Sequence, residues 1–212
     1  HLVSFFETVV FGAEIDDRMK SLVIARWTGA LRIRVKGQAS PENIQSIRRH
    51  LAVIKKLTGI NIEKVEAPEK PENLTILFLP AMEMSKVKIN GVDPDYIRQI
   101  AAPLSCYFLS FKKPPDTIVR AVIVVNTQRS DEAINHCLLE ELVQSMGLPN
   151  DTDMLRPSIF SDNDQLFALS RSDKILLRTL YDERMTEGLG LDAALNVARE
   201  IITDWDQRLP PP

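Results

Sequence analysis

The chain has 212 residues, 44% of them hydrophobic and 26% charged, with a formal net charge of -3. This composition suits one globular core and excludes collagen, coiled coil and low-complexity sequence. A slightly acidic balance argues against a broad phosphate-binding face, so nucleic acid is not an expected partner. No apolar run approaches the ~18 residues of a membrane-spanning helix.

The chain opens at His1 rather than Met, as expected of a trimmed protein, so it says nothing of a signal peptide or lipid anchor upstream. Leu2, Val3, Phe5, Phe6, Val9 and Val10 recur at near-helical spacing. They predict a short helix in an N-terminal extension over residues 1–22, with the main domain over 23–209. Trp27 leads into Leu31–Val35, which alternates apolar and basic residues as a half-buried strand does, and Gly37 ends it. Ser40-Pro41-Glu42-Asn43 is a helix start, followed by Ile44, Ile47, Leu51, Ile54 and Leu57 on one stripe and stopped by Gly59. Arg26, Arg32, Arg34 and Lys36, with Arg48 and Arg49, predict a solvated basic face, and His50 is expected in solvent beside them.

Residues 60–65 alternate again, and Leu74–Leu79 is a continuous apolar strand closed by Pro80. A polar excursion from Met82 to Pro94 turns at Asn90-Gly91. Tyr107–Phe111 predicts a strand broken off by Pro114-Pro115. Ile118–Val125 lacks alternation, as a strand buried on both faces would. Ser130-Asp131-Glu132 begins a helix through His136 and Gln144 that ends at Gly147. Helices are expected over 166–180 and 191–205, with residues 210–212 as a tail. The order predicts one α+β domain, a twisted mixed sheet with a helical C-terminal part.

Cys106 and Cys137 suit neither a zinc ribbon nor a CxxC redox motif. They are either one disulfide in an exported protein or two buried thiols. If bonded, they tie the helix carrying Glu140 to the segment before the last strand.

The chemistry-bearing stretch runs from Asn135 to Asp151. On a helix, Glu140 and Gln144 share one face, and Glu141 is rotated by ~100°. Gly147 follows three residues later and Asn150 three beyond that. This E-E-x-x-Q-x-x-G-x-x-N pattern resembles the metzincin zinc-peptidase motif H-E-x-x-H-x-x-G-x-x-H. The resemblance assigns Glu140, Gln144 and Asn150 to the metal-ligand places, Glu141 to the general base and Gly147 to the turn. Met154-Leu-Arg-Pro157 resembles the methionine turn that floors such sites, and Leu169–Asp182 resembles the closing helix of matrixin-type domains, with its D-x-x-x-x-x-x-L-Y ending. The likeness covers residues 27–182 and implies a metzincin-like (zincin) fold with a cleft between the sheet's edge strand and the helix of Glu141, open to an extended peptide.

At closer range the whole chain resembles an uncharacterised bacterial domain-of-unknown-function family. The residues that carry this are Cys137–Asp151, Ser158-Ile-Phe160 and Leu180-Tyr-Asp182. Members of that family look like exported proteins or lipoproteins, which implies the periplasm or cell envelope.

The substituted ligands bear on mechanism. Zinc prefers imidazole and thiolate, so zinc is not the expected cofactor here. A Glu/Gln/Asn trio suits another divalent cation, such as calcium or magnesium. His136, one turn before Glu140, is an additional candidate ligand. Two readings follow. The first is a degenerate, non-catalytic module that binds an extended peptide or envelope protein. The alternative is a metal-dependent hydrolase, a peptidase, with Glu141 as general base and a non-histidine ligand set.

Overall fold

The computed structural model describes residues 1–12, 22–67, 69–101 and 106–209. Of the sequence-based expectations, residues 13–21 of the N-terminal extension and the tail 210–212 lie outside these. The strands are β1 (Leu31–Gly37), β2 (Ile62–Lys64), β3 (Leu74–Leu79), β4 (Cys106–Lys113) and β5 (Thr117–Asn126). They form one sheet in the order β2-β1-β3-β5-β4. The pairs are parallel except β4 with β5. The connections explain this. A tight turn joins β4 to β5, with Asp116 N–H bonded to Lys113 O at 2.8 Å, and so short a link permits only antiparallel pairing. Parallel β1 and β2 are instead bridged by helix α2 (Pro41–Thr58).

Alternating side chains assign the two faces of the sheet. Leu31 and Ile33, Leu74, Ile76 and Phe78, and Ala121, Ile123 and Val125 enter the main core. This core is shared with α2 and with α5 (Asp131–Gln144), α6 (Arg171–Tyr181) and α7 (Leu191–Arg208). Tyr107 and Val124 point the other way, into a smaller core. β3 reads as a continuous apolar run because its second face is itself half covered.

The start of α2 is a complete capping box: Ser40 Oγ accepts from Asn43 N–H, and Asn43 Oδ1 accepts from Ser40 N–H. The N-terminal helix α1 (Leu2–Phe11) buries Phe5, Phe6, Val9 and Val10 in the main core, where Phe5 meets Phe160 edge-on at 6.1 Å.

Four expectations are corrected. The excursion after β3 opens with helix α3 (Ala81–Met84) and is followed, from Pro94, by an unanticipated helix α4 (Pro94–Ala101). Ile97 and Ala101, one turn apart on α4, cover the second face, while Asp93 Oδ1 accepts from Asp95 N–H at the helix start. α6 begins at Arg171 rather than near 166, because Ser170 and Asp173 form a second capping box there. His50 is buried and bonded through Nε2 to Asn135 Oδ1 at 2.9 Å, and burial lowers its pKa. The basic face is likewise partly internal: Glu72 pairs with Arg34 and Lys36, and Arg26 donates to Leu180 O and Asp182 O.

Candidate functional site

α5 carries the site, and its C-terminal end is fixed from outside the helix. Helix ends leave carbonyls without intrahelical partners. Here Trp27 Nε1–H donates to Ser145 O at 2.9 Å, and Tyr181 O–H donates to Met146 O at 2.7 Å while accepting from Trp27 N–H. Gly147 follows with φ +112, and a Cβ there would stand 2.1 Å from Ala25 O. Only glycine allows the chain to reverse at this place. Tyr181 and Asp173 of the predicted closing helix therefore have visible work. Asp173 is fully buried and accepts from Ser158 Oγ, Ile159 N–H and Ser170 N–H, fastening the loop after α5 onto α6.

A cleft of about 430 Å³ opens between α5 and the edge strand β4. His136, Glu140, Glu141 and Gln144 form its helical wall, and Tyr107 and Phe108 of β4 stand opposite. α4 adds Tyr96 and Ile100 to the rim, and Arg129 lies at the entrance to α5. The loop beyond Gly147 returns Asp151 and Asp162 to the same space. Gln144 Nε2 donates to Asp151 Oδ1, which orients both. One carboxylate oxygen from each of Glu140, Asp151 and Asp162 lies within 4.8 Å of the other two.

This crowding of acids shifts protonation. Burial, and then the charges of Asp151 and Asp162, push Glu140 up to about 8. Glu141 is raised well above the usual carboxylate range by burial first, then by Glu140 and Asp151. Its Oε2 is buried without a hydrogen-bond partner among the described residues. His136 Nδ1 faces the Leu166 backbone, 3.1 Å from its N and 3.0 Å from its O. This leaves His136 Nε2 3.7 Å from Glu140 Oε2.

The structure thus brings Glu140, Glu141, Gln144 and His136 together at one cleft. Asn150 does not join them. Its N–H and Nδ2 both donate to Val9 O, at 3.1 and 2.9 Å, so it caps a carbonyl at the end of α1 and points away from the cleft. Asp151, one position on, reaches the site in its stead. Met154 forms no floor: it is 47% exposed, because the chain folds back in two steps, Thr152 N–H onto Phe160 O and Ser158 onto Asp173, and leaves the intervening residues outside. Cys106 and Cys137 are joined as a disulfide with Cα atoms 6.2 Å apart, tying β4 to α5 across the base of the cleft.

Two carboxylates escaped sequence reasoning as site residues. The Asn150–Asp153 run looks like an Asx turn satisfying its own backbone, but Asp153 instead accepts from the side chains of Ser161 (Oγ) and Asn163 (Nδ2) across the loop. Asp151 carries no local signal that separates it from Asp153. Asp162 reaches the cleft only through the fold of the 149–165 loop.

Among the described residues no helix is long and apolar enough to cross a membrane. No curated protein matches the chain. A family model matches residues 1–200, nearly the whole length, and by that match the chain belongs to the family described as protein of unknown function (DUF2927).

Proposed function

We propose that this chain is a metzincin-like module of the bacterial cell envelope that binds an extended peptide segment between β4 and α5 without hydrolysing it. The observation that carries this reading is the position of β4. It ends the sheet, has no strand on its outer side among the described residues, and forms one wall of the cleft. An edge strand offers unpaired backbone groups that an extended peptide can complete, while the cleft accepts its side chains.

The cleft also has a preferred guest. Three carboxylates converge from different parts of the chain, and a lysine or arginine of a bound segment relieves their mutual repulsion. Tyr96, Ile100 and Phe108 supply apolar surface beside them. The disulfide suits an oxidising compartment, which supports an exported location. Asn150 bonded to Val9 leaves the ligand places of a metzincin motif divided, which favours binding over zinc-dependent catalysis.

A fluorescence-anisotropy screen of extended peptides, with and without a basic residue, tests the reading. Binding of basic peptides, weakened at least tenfold by Asp162→Lys on the exposed rim, is the expected result. No binding by any peptide, or affinity indifferent to Asp162→Lys, refutes it.

A second reading, a metal-dependent hydrolase, is favoured by one observation: the oxygens of Glu140, Asp151 and Asp162 are spaced for a hard cation such as calcium, whose ligand oxygens sit ~2.3–2.6 Å from the ion. Glu141, with its raised pKa, would be the general base there. Elemental analysis of protein purified without chelator separates the two. Near-stoichiometric metal lost in Glu140→Ala and Gln144→Ala, with peptidase activity lost in Glu141→Gln, establishes the hydrolase. Absence of metal after incubation with calcium, manganese or zinc removes it.

A further inference from the structure

The base of the cleft holds a second group of ligand atoms, whose two sulfurs neither reading uses and whose carboxylate, Glu141, serves the hydrolase reading only as a base. Cys137 and Glu141 stand one turn apart on α5, on the row beside that of Glu140 and Gln144. Cys106, the first residue of β4, faces them. The two Sγ atoms and a carboxylate oxygen of Glu141 all lie within 4.8 Å of one another. All three residues line the cleft.

Glu141 supplies an independent indication. It is 6% exposed, and its Oε2 has no hydrogen-bond partner among the described residues. A buried carboxyl oxygen left without a donor is destabilising, and a redox or catalytic role or a bound ion is among the reasons native proteins keep such groups. In the disulfide form the sulfurs offer Glu141 neither a strong donor nor a charge. As free thiols they would be metal ligands of the kind zinc prefers.

We propose that Cys106, Cys137 and Glu141 form a redox-gated site for a thiophilic divalent cation such as zinc, closed while the cysteines are bonded and opened by a dithiol. The dithiol thiolate attacks one sulfur, the mixed disulfide resolves through the second thiol, and the reductant leaves as its cyclic disulfide. Two electrons and two protons thereby pass to the protein, giving two cysteine thiols. The cation then displaces those two protons and that of Glu141 to solvent. Two thiolates and one carboxylate remain around a doubly charged ion. Three protein ligands leave a fourth position open, as in metal sites that exchange a ligand. This site is separate from the hard-oxygen trio of Glu140, Asp151 and Asp162: its ligands are soft, and it exists only in the reduced chain.

The test is an anaerobic titration of the full chain with cobalt(II), before and after treatment with dithiothreitol and its removal. Circular dichroism of each form follows the fold. The expected result is one equivalent of cobalt bound by the folded, reduced chain, with a thiolate-to-cobalt charge-transfer band that zinc abolishes. The oxidised chain shows no such band. Cys137→Ser removes the band, and isosteric Glu141→Gln weakens cobalt binding at least tenfold. Three results overturn the proposal: no band in the reduced chain, whether folded or not; the same band in the oxidised chain; or undiminished affinity in Glu141→Gln, which would mean that two cysteines bind cobalt without a site.

Discussion

Replacing Glu140 by Gln should make the protein more stable at alkaline pH and leave it unchanged in acid. The Glu140 carboxyl ordinarily titrates at 4.5 but is pushed up to about 8 in the folded chain by burial and by Asp151 and Asp162. Below pH 4.5 both folded and unfolded chains hold the proton, so Glu140 contributes no pH dependence. Between 4.5 and 8 the unfolded chain has released it while the folded chain retains it, so stability falls as pH rises. Above 8 the loss is complete and constant. At 1.36 kcal/mol per pH unit this interval sets a ceiling of ~5 kcal/mol. The Glu140 side chain is 19% exposed along an open cleft, and water there reduces the effect to ~2–3 kcal/mol. Gln has nearly the same size and cannot ionise, so the difference between the two proteins reports Glu140 together with its charge effect on Glu141. Glu141 and Asp173, also raised by burial, titrate in both. Urea unfolding at pH 4, 5.5, 7 and 8.5, at constant ionic strength with chelator present, measures the difference. Equal stability at pH 4 and a variant ~2–3 kcal/mol more stable at pH 8.5 is expected. A difference flat across the range, or a variant less stable at pH 8.5, would refute the assignment of the shift to burial beside Asp151 and Asp162.

Three further substitutions test the frame around the cleft. Gly147→Ala imposes a side chain at φ +112 and a Cβ 2.1 Å from Ala25 O, so it should lower stability by at least ~2 kcal/mol in thermal melts; a loss under ~0.5 would mean that the reversal after α5 is not constrained. Asp173→Ala leaves Ser158 Oγ, Ile159 N–H and Ser170 N–H without their acceptor in a sealed position, with an expected loss of ~3 kcal/mol or more in urea midpoints, and a near-neutral result would show that water enters there. Cys106→Ser removes a link across 31 residues, for which loop-closure entropy gives ~3–4 kcal/mol. A Cys106→Ser chain as stable as the oxidised parent would show that the pair is not bonded in solution.

Much of the frame was legible because its signals are local. The Ser40-Pro41-Asn43 capping box and the stop at Gly59 need only a few neighbouring residues, and both stand as read. The unalternating run in β5 reflects its place between β3 and β4 with covered faces. α4 was missed because its apolar face is short, essentially Ile97, Ile100 and Ala101, within a polar stretch. Its Asp93-Pro94 start was nonetheless a readable cap signal. His50 was misread for a related reason: the charges of Arg48 and Arg49 outweigh, in sequence, a single long-range partner in Asn135. At the site, helical periodicity was sufficient to group His136, Glu140 and Gln144. It could not choose between Asn150 and Asp151 beyond Gly147, where backbone direction depends on Val9, a residue far away in the chain. Asp162 reaches the cleft by tertiary folding alone.

The place of α1 has a consequence for how the molecule is made. This helix packs against α7 and buries Phe5, Phe6, Val9 and Val10 in the main core, so a helix made early depends on one made much later. Translation at ~5–20 residues per second separates their appearance by ~10–40 s. Throughout that interval a strongly apolar segment waits uncovered, and for most of it the Val9 carbonyl has no Asn150 to donate to it. Synthesis from one end therefore cannot complete this core progressively. Folding closes as a ring once α7 has been made, and a fragment lacking α1 or α7 would expose the surface that the missing helix covers.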